Sequence, residues 1–211
     1  MNALKSLVLL CSLTSLVGSA PILDKSADPE FKGRIERARS LVDKILGHIP
    51  VVHRSWVSTE VRTTSPLQYQ SLGLVRDIPN APELGSVCKP IDQDNHSLLG
   101  VCLGRMTAGL QLYHGVLGVL APKVTFADKA TELQADLRDL LAQVNKMKQP
   151  VGQSASVAPY EGSALATGLQ GAFEVEVASH LILLQIRDFT QDLKRSLRHI
   201  ADLPSTLTSR A

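Results

Sequence analysis

The sequence predicts an all-α protein, an up-up-down-down four-helix bundle with two long crossover loops. Three observations carry that expectation. Among 211 residues there are 33 Leu but only one Trp, three Tyr and four Phe. A core rich in Leu and poor in aromatics favours helix over sheet. Four segments repeat their apolar residues at spacings of three and four, one helical stripe each. The connections between them run long, short, long, and their lengths restrict which helices can lie side by side. Apolar residues make up 44% and charged residues 20%, the balance of a soluble globular chain. The net charge of +2 comes from 22 basic and 20 acidic residues that are well mixed. No basic face argues for nucleic acid as a partner.

Residues 1–20 read as a secretory signal peptide. Lys5 supplies the positive start, and Leu7 to Leu16 is an apolar run too short to span a bilayer. Gly18, Ser19 and Ala20 are the small residues of a cleavage site, and cleavage after Ser19 or after Ala20 fits. Residues 21–211 then form one helical domain, secreted and with no later run long enough to insert into a membrane. Cys11 leaves with the signal, so Cys88 and Cys102 remain as an even pair in an oxidising compartment. A bridge between them closes a 15-residue loop, worth about 3 kcal/mol in the chain-entropy model. Asn95-His96-Ser97 is a glycosylation sequon in the polar stretch between the two Cys.

The first helical segment opens at Asp28-Pro29-Glu30, with Asp as N-cap, Pro at the first helical position and an acid in the first turn. Phe31, Ile35, Ala38, Val42, Ile45 and Ile49 form its stripe, and Pro50 lies near its end. The second runs from about Ser97 to Leu120, with Leu99, Cys102, Met106, Leu110, Tyr113, Leu117 and Leu120 on one face. It contains Gly100, Gly104, Gly109, Gly115 and Gly118, each costing up to about 1 kcal/mol against Ala. That helix needs tertiary support, and its glycines permit a close neighbour. The third runs from about Asp128 to Lys148, with a stripe of Ala130, Leu133, Leu137, Leu140, Val144 and Met147. The fourth starts near Ala164 or Gly171 and runs to Leu203, through Phe173, Val177, Leu181, Leu184, Leu193, Leu197 and Ile200. Its run Leu181-Ile182-Leu183-Leu184 is apolar nearly all round, so this helix is expected to be the most buried.

The connection of about six residues between the second and third segments reaches at most about 20 Å, whereas a helix of some 22 residues is about 33 Å long. Those two helices must therefore be antiparallel. The connection from Gln149 to Ser163 can span the bundle, and the one from Val51 to His96 is longer still. A short helix is expected in it near Pro66 to Leu72.

Catalytic sets are missing. There is no phosphate loop, nucleophile elbow or His-Glu-x-x-His pair. Asp92-Gln93-Asp94-Asn95 begins like a calcium loop but lacks its Gly at position six and its Glu at twelve, where Leu103 stands. No enzyme activity, metal or cofactor is expected. Surface remains: Asp136 and Asp139 on the third segment, Arg37 and Lys44 one heptad apart on the first.

Several short motifs, in order, resemble the granulocyte colony-stimulating factor family, in the interleukin-6 group of long-chain helical cytokines. They are Ser71-Leu72-Gly73-Leu74, Leu112-Tyr113-His114-Gly115-Val116-Leu117, Ala178-Ser179-His180-Leu181 and Leu197-Arg198-His199-Ile200. The resemblance implies a secreted growth factor for granulocyte-lineage cells that crosslinks a class I cytokine receptor, two ligands with two receptors. It places the main receptor surface on the first and third helices. The family pattern Leu-Gln-x-Asp-x-x-Asp is matched by Leu133, Gln134, Asp136 and Asp139, which makes Asp136 and Asp139 the receptor-facing acids. Arg37 and Lys44 stand where the family has contacting bases, and Ser40 where it has a contacting Glu. The second receptor surface uses an acid near the short loop helix, where Gln68 is the nearest match. The family has two disulfides and this chain only one. The interval between the two motifs of the fourth helix is longer than in the family, which implies an extended or bulged helix. Two other readings remain: another interleukin-6-group cytokine, or a secreted helical carrier of apolar ligands, which would need an internal cavity.

Overall fold

The first stripe folds as α1, Pro29–Trp56, in a computed structural model that describes residues 29–88, 96–149 and 158–202. Its six predicted stripe residues are all buried, and so are Val52 and Trp56 beyond them. The helix runs through Pro50 for another six residues rather than ending there. A mid-helix Pro costs about 3 kcal/mol. Burial of Val52 and Trp56 opposes that cost, and the Trp56 indole N–H donates to the Phe126 carbonyl at 3.2 Å. The expected signal peptide, Asp28 and Asn95 of the sequon fall outside the described residues.

Three more long helices follow: α4, His96–Leu120; α5, Ala127–Lys148; and α7, Ala172–Ala201. Between α1 and α4 lie α2, Thr59–Thr63, a 3-10 turn at Pro66–Tyr69, and α3, Leu74–Asp77. The expected loop helix is thus three short pieces. Ser58 caps α2, its hydroxyl accepting from the Val61 amide. A 3-10 turn at Ala121–Lys123 leads from α4 to α5, and α6, Ser163–Gly168, precedes α7. Among the described residues there is no strand.

Cross-links give the directions. Arg34 donates to the Lys146 carbonyl and Lys44 pairs with Asp136, so α1 and α5 are antiparallel. Asp43 pairs with Lys194 and His53 with His180, so α1 and α7 are antiparallel. Thr107 bonds Asn145 and Gln134 donates to the His114 carbonyl, so α4 and α5 are antiparallel. Hence α1 and α4 point one way and α5 and α7 the other, which is the up-up-down-down order. α7 is one unbroken helix, so the long interval between its motifs extends the helix without a bulge.

The most buried helix is α4, not α7. From Leu98 onward only Val101 and Gly118 of α4 are exposed. On α7, Phe173 is 51% exposed, and Leu181 and Leu184 are only partly buried. Ile182, Leu183, Ile186 and Phe189 face the core instead. A helix apolar all round gives no periodic signal for which side packs inward. Gly109 explains the close approach in α4: a methyl group there would stand 2.3 Å from the Phe189 ring.

The two crossovers fill the side of the bundle between α4 and α7. Leu74, Ile78 and Leu84 from the first and Leu165 and Leu169 from the second are buried. Arg105 of α4 donates to the Glu83 carbonyl, and Gln185 of α7 to the Asn80 side chain. Cys88 and Cys102 form a disulfide, which ties the end of the first crossover to α4. Gly162 has φ 67°, the left-handed region that favours glycine, just before α6.

Candidate functional site

Arg37, Ser40, Lys44 and His48 recur at spacings of three, four and four on α1, so they share one face. The matching face of α5 carries Asp136, Asp139 and Gln143. Where the two helices meet, Arg37, Ser40, Leu41, Asp139, Ala142 and Gln143 line an open groove. Three of the sequence-predicted residues, Arg37, Ser40 and Asp139, therefore come together. Gln143 was not foreseen; its side-chain oxygen is shielded and has no hydrogen-bond partner among the described residues.

Asp136 differs from its predicted place. It is 3% exposed and not displayed to solvent. One carboxylate oxygen accepts from the Lys44 ammonium at 2.6 Å. The other lies 2.8 Å from His48 Nδ1, close enough for an ion pair but not an aligned hydrogen bond. The Lys44 side chain remains 55% exposed. Its pKa is raised above the usual Lys value, first by the hydrogen bond it donates to Asp136 and then by the charge of that carboxylate. So one acid and one base, each expected to face the receptor, instead clasp each other across the seam. Asp139 is exposed and paired with its neighbour Arg138 at 3.2 Å. His48 was missed, although its position one turn beyond Lys44 was readable.

Gln134 is turned away from this face. Its side chain donates to the His114 carbonyl of α4 at 3.0 Å, so it serves the α4–α5 contact. Two residues along a helix are about 160° apart around the axis, which separates Gln134 from Asp136.

Gln68 stands on a second surface. It is exposed in the 3-10 turn, beside Leu67 at 70% exposure. Tyr69 anchors the turn: it is buried, and its ring stands edge-on to Phe173 and to His180, centroids 6.4 Å apart in each case. Beneath it, His53 Nε2 and His180 Nδ1 share a hydrogen bond of 2.8 Å, their rings nearly parallel. Burial, then His180, Arg62 and Arg187, push His53 down to about 4. Burial and Arg187 push His180 down as well. A groove beside this turn is lined by Leu67, Val75, Ile78, Leu181, Leu184 and Asp188, among others. The exposed Leu67 was missed, because a loop carries no periodic signal, and Phe173, placed in the helical stripe by its spacing, is exposed in the first turn of α7.

Among the described residues no three His, Cys, Asp or Glu side chains gather as a metal site, and no helix is long and apolar enough to cross a membrane. The described residues form a bundle of four long helices in up-up-down-down order, an arrangement found in growth-hormone and cytokine bundles. No family model matches the chain. It is similar to a myelomonocytic growth factor of Gallus gallus, 27% identical over 187 residues, which cover 87% of this chain and 89% of that protein.

Proposed function

We propose that this protein is a secreted growth factor of the granulocyte colony-stimulating type, acting on myeloid cells of the granulocyte lineage. It binds and crosslinks a class I cytokine receptor, two ligands with two receptors, without catalysis. The observation that carries this reading is the α1–α5 groove, where Arg37, Ser40 and Asp139 meet on a bundle of the cytokine topology. The likeness to a myelomonocytic growth factor over most of both chains supports the target-cell class. The exposed Leu67–Gln68 turn is the candidate for the second receptor contact.

Exposed charges of this kind set orientation and association rate more than affinity. The refolded, oxidised protein is expected to drive proliferation of myeloid progenitors and to bind the granulocyte colony-stimulating factor receptor ectodomain. Arg37→Glu with Asp139→Arg is expected to slow association about tenfold while circular dichroism stays unchanged. Normal association by this double variant would remove the groove from the receptor contact. Proliferation without binding to that ectodomain would point to another receptor of the interleukin-6 group.

A further inference from the structure

We propose that Asp136 is a positioning residue, which acts on the receptor surface through Lys44 and touches no receptor itself. This rests on reading the α1–α5 face as that surface. Asp136 is 3% exposed, and both its oxygens face α1 residues. A partner protein cannot reach a carboxylate so covered without prising α1 from α5.

The clasp has a definite geometry. Lys44 and His48 are one helical turn apart, and Asp136 takes one with each oxygen. Two contacts separated along α1 resist both sliding and rotation of α1 against α5. They also fix the Lys44 ammonium at 2.6 Å from the carboxylate while its side chain stays 55% exposed. Lys44 is thus presented beside the groove as a held cation, one turn from Ser40. The outward acid of the pair is Asp139, which lines the groove. The charge pattern offered to a receptor is then Arg37, Lys44 and Asp139.

The test is a double-mutant cycle on receptor-ectodomain binding, with Asp136→Asn, Lys44→Met and the two combined. Asn keeps the shape of Asp, and circular dichroism checks that each variant folds. Each single change is expected to weaken binding several-fold, and the combination is expected to bind no worse than Lys44→Met alone, because coupled residues are not additive. If Asp136→Asn still exerts its full loss in the Lys44→Met background, Asp136 contacts the receptor and the proposal is overturned. A second readout needs no receptor: the rate at which an amine-reactive ester acylates Lys44, followed by mass spectrometry across alkaline pH. Losing the carboxylate that holds the Lys44 proton is expected to speed acylation several-fold in Asp136→Asn. An unchanged rate overturns the clasp. If the wild-type protein binds no receptor ectodomain, the receptor reading fails, and the acylation rate alone decides the role of Asp136.

Discussion

Along the α1–α5 seam, helix meets helix. Stripe packs on stripe, and Arg34–Lys146, Lys44–Asp136 and Trp56–Phe126 bridge the two directly. Along the α4–α7 side, Phe189 packs against Gly109 and against Tyr113, ring centroids 5.5 Å apart. The remaining space is taken by crossover residues such as Leu74, Leu84 and Leu165. The first seam is held by its own side chains. The second depends on chain that enters from outside the four helices. A groove on the first therefore rests on direct helix contacts, whereas the surface near Gln68 rests on how the crossover packs.

The sharpest way to break this comparison is to empty the crossover side. Leu84→Ala is expected to destabilise by about 2–5 kcal/mol, as for any core Leu, because Leu84 is almost fully buried. Urea unfolding measures it. A loss under about 1 kcal/mol would mean that the crossover is a covering and not core.

Removing the bridge is next. Cys88→Ser with Cys102→Ser is expected to cost about 3 kcal/mol. Hydrogen exchange should rise over residues 78–88 and stay low over the α1–α5 seam. Equal loosening on both sides would erase the distinction between them.

The smallest effect concerns His53 and His180 under the Tyr69 turn. The folded His53 pKa of about 4 lies below the ordinary histidine value of 6.5. Above pH 6.5 both folded and unfolded chains carry the neutral ring, and the stability is fully present. As pH falls from 6.5 towards 4, the unfolded chain gains a proton that the fold excludes, so stability declines. The lowered pKa of His180 acts in the same direction. Protonating both rings would also set two N–H groups against each other across the 2.8 Å contact. Thermal unfolding across that window should show the slope, and His53→Gln with His180→Gln should flatten it. An unaltered slope in the double variant would assign the acid sensitivity elsewhere.

Much of the architecture was legible. The stripes of α1, α4 and α5 all proved buried, residue for residue. The short α4–α5 link forced an antiparallel pair, and the expectation that Cys11 leaves with a signal peptide singled out the Cys88–Cys102 pair, which the structure bridges. These readings work because periodicity, linker reach and pairing are properties of the chain itself. The inward side of α7 was not legible. With Leu181 to Leu184 apolar all round, the choice of Ile182 and Leu183 over Leu181 and Leu184 falls to the neighbours.

The candidate site divides in the same way. The sequence by itself placed Arg37, Ser40 and Lys44 on one helix face and Asp136 and Asp139 near each other on another. Three residues along a helix turn about 60° away from the starting direction. That angle is small enough to make Asp136 and Asp139 neighbours, yet large enough to send one into the seam and leave the other in water. Only the rotation of α5 against α1 decided which. It turned Asp136 inward to Lys44 and His48 and left Asp139 at the groove, because the buried stripe from Ala130 to Met147 had to face the core and carried Asp136 to its edge.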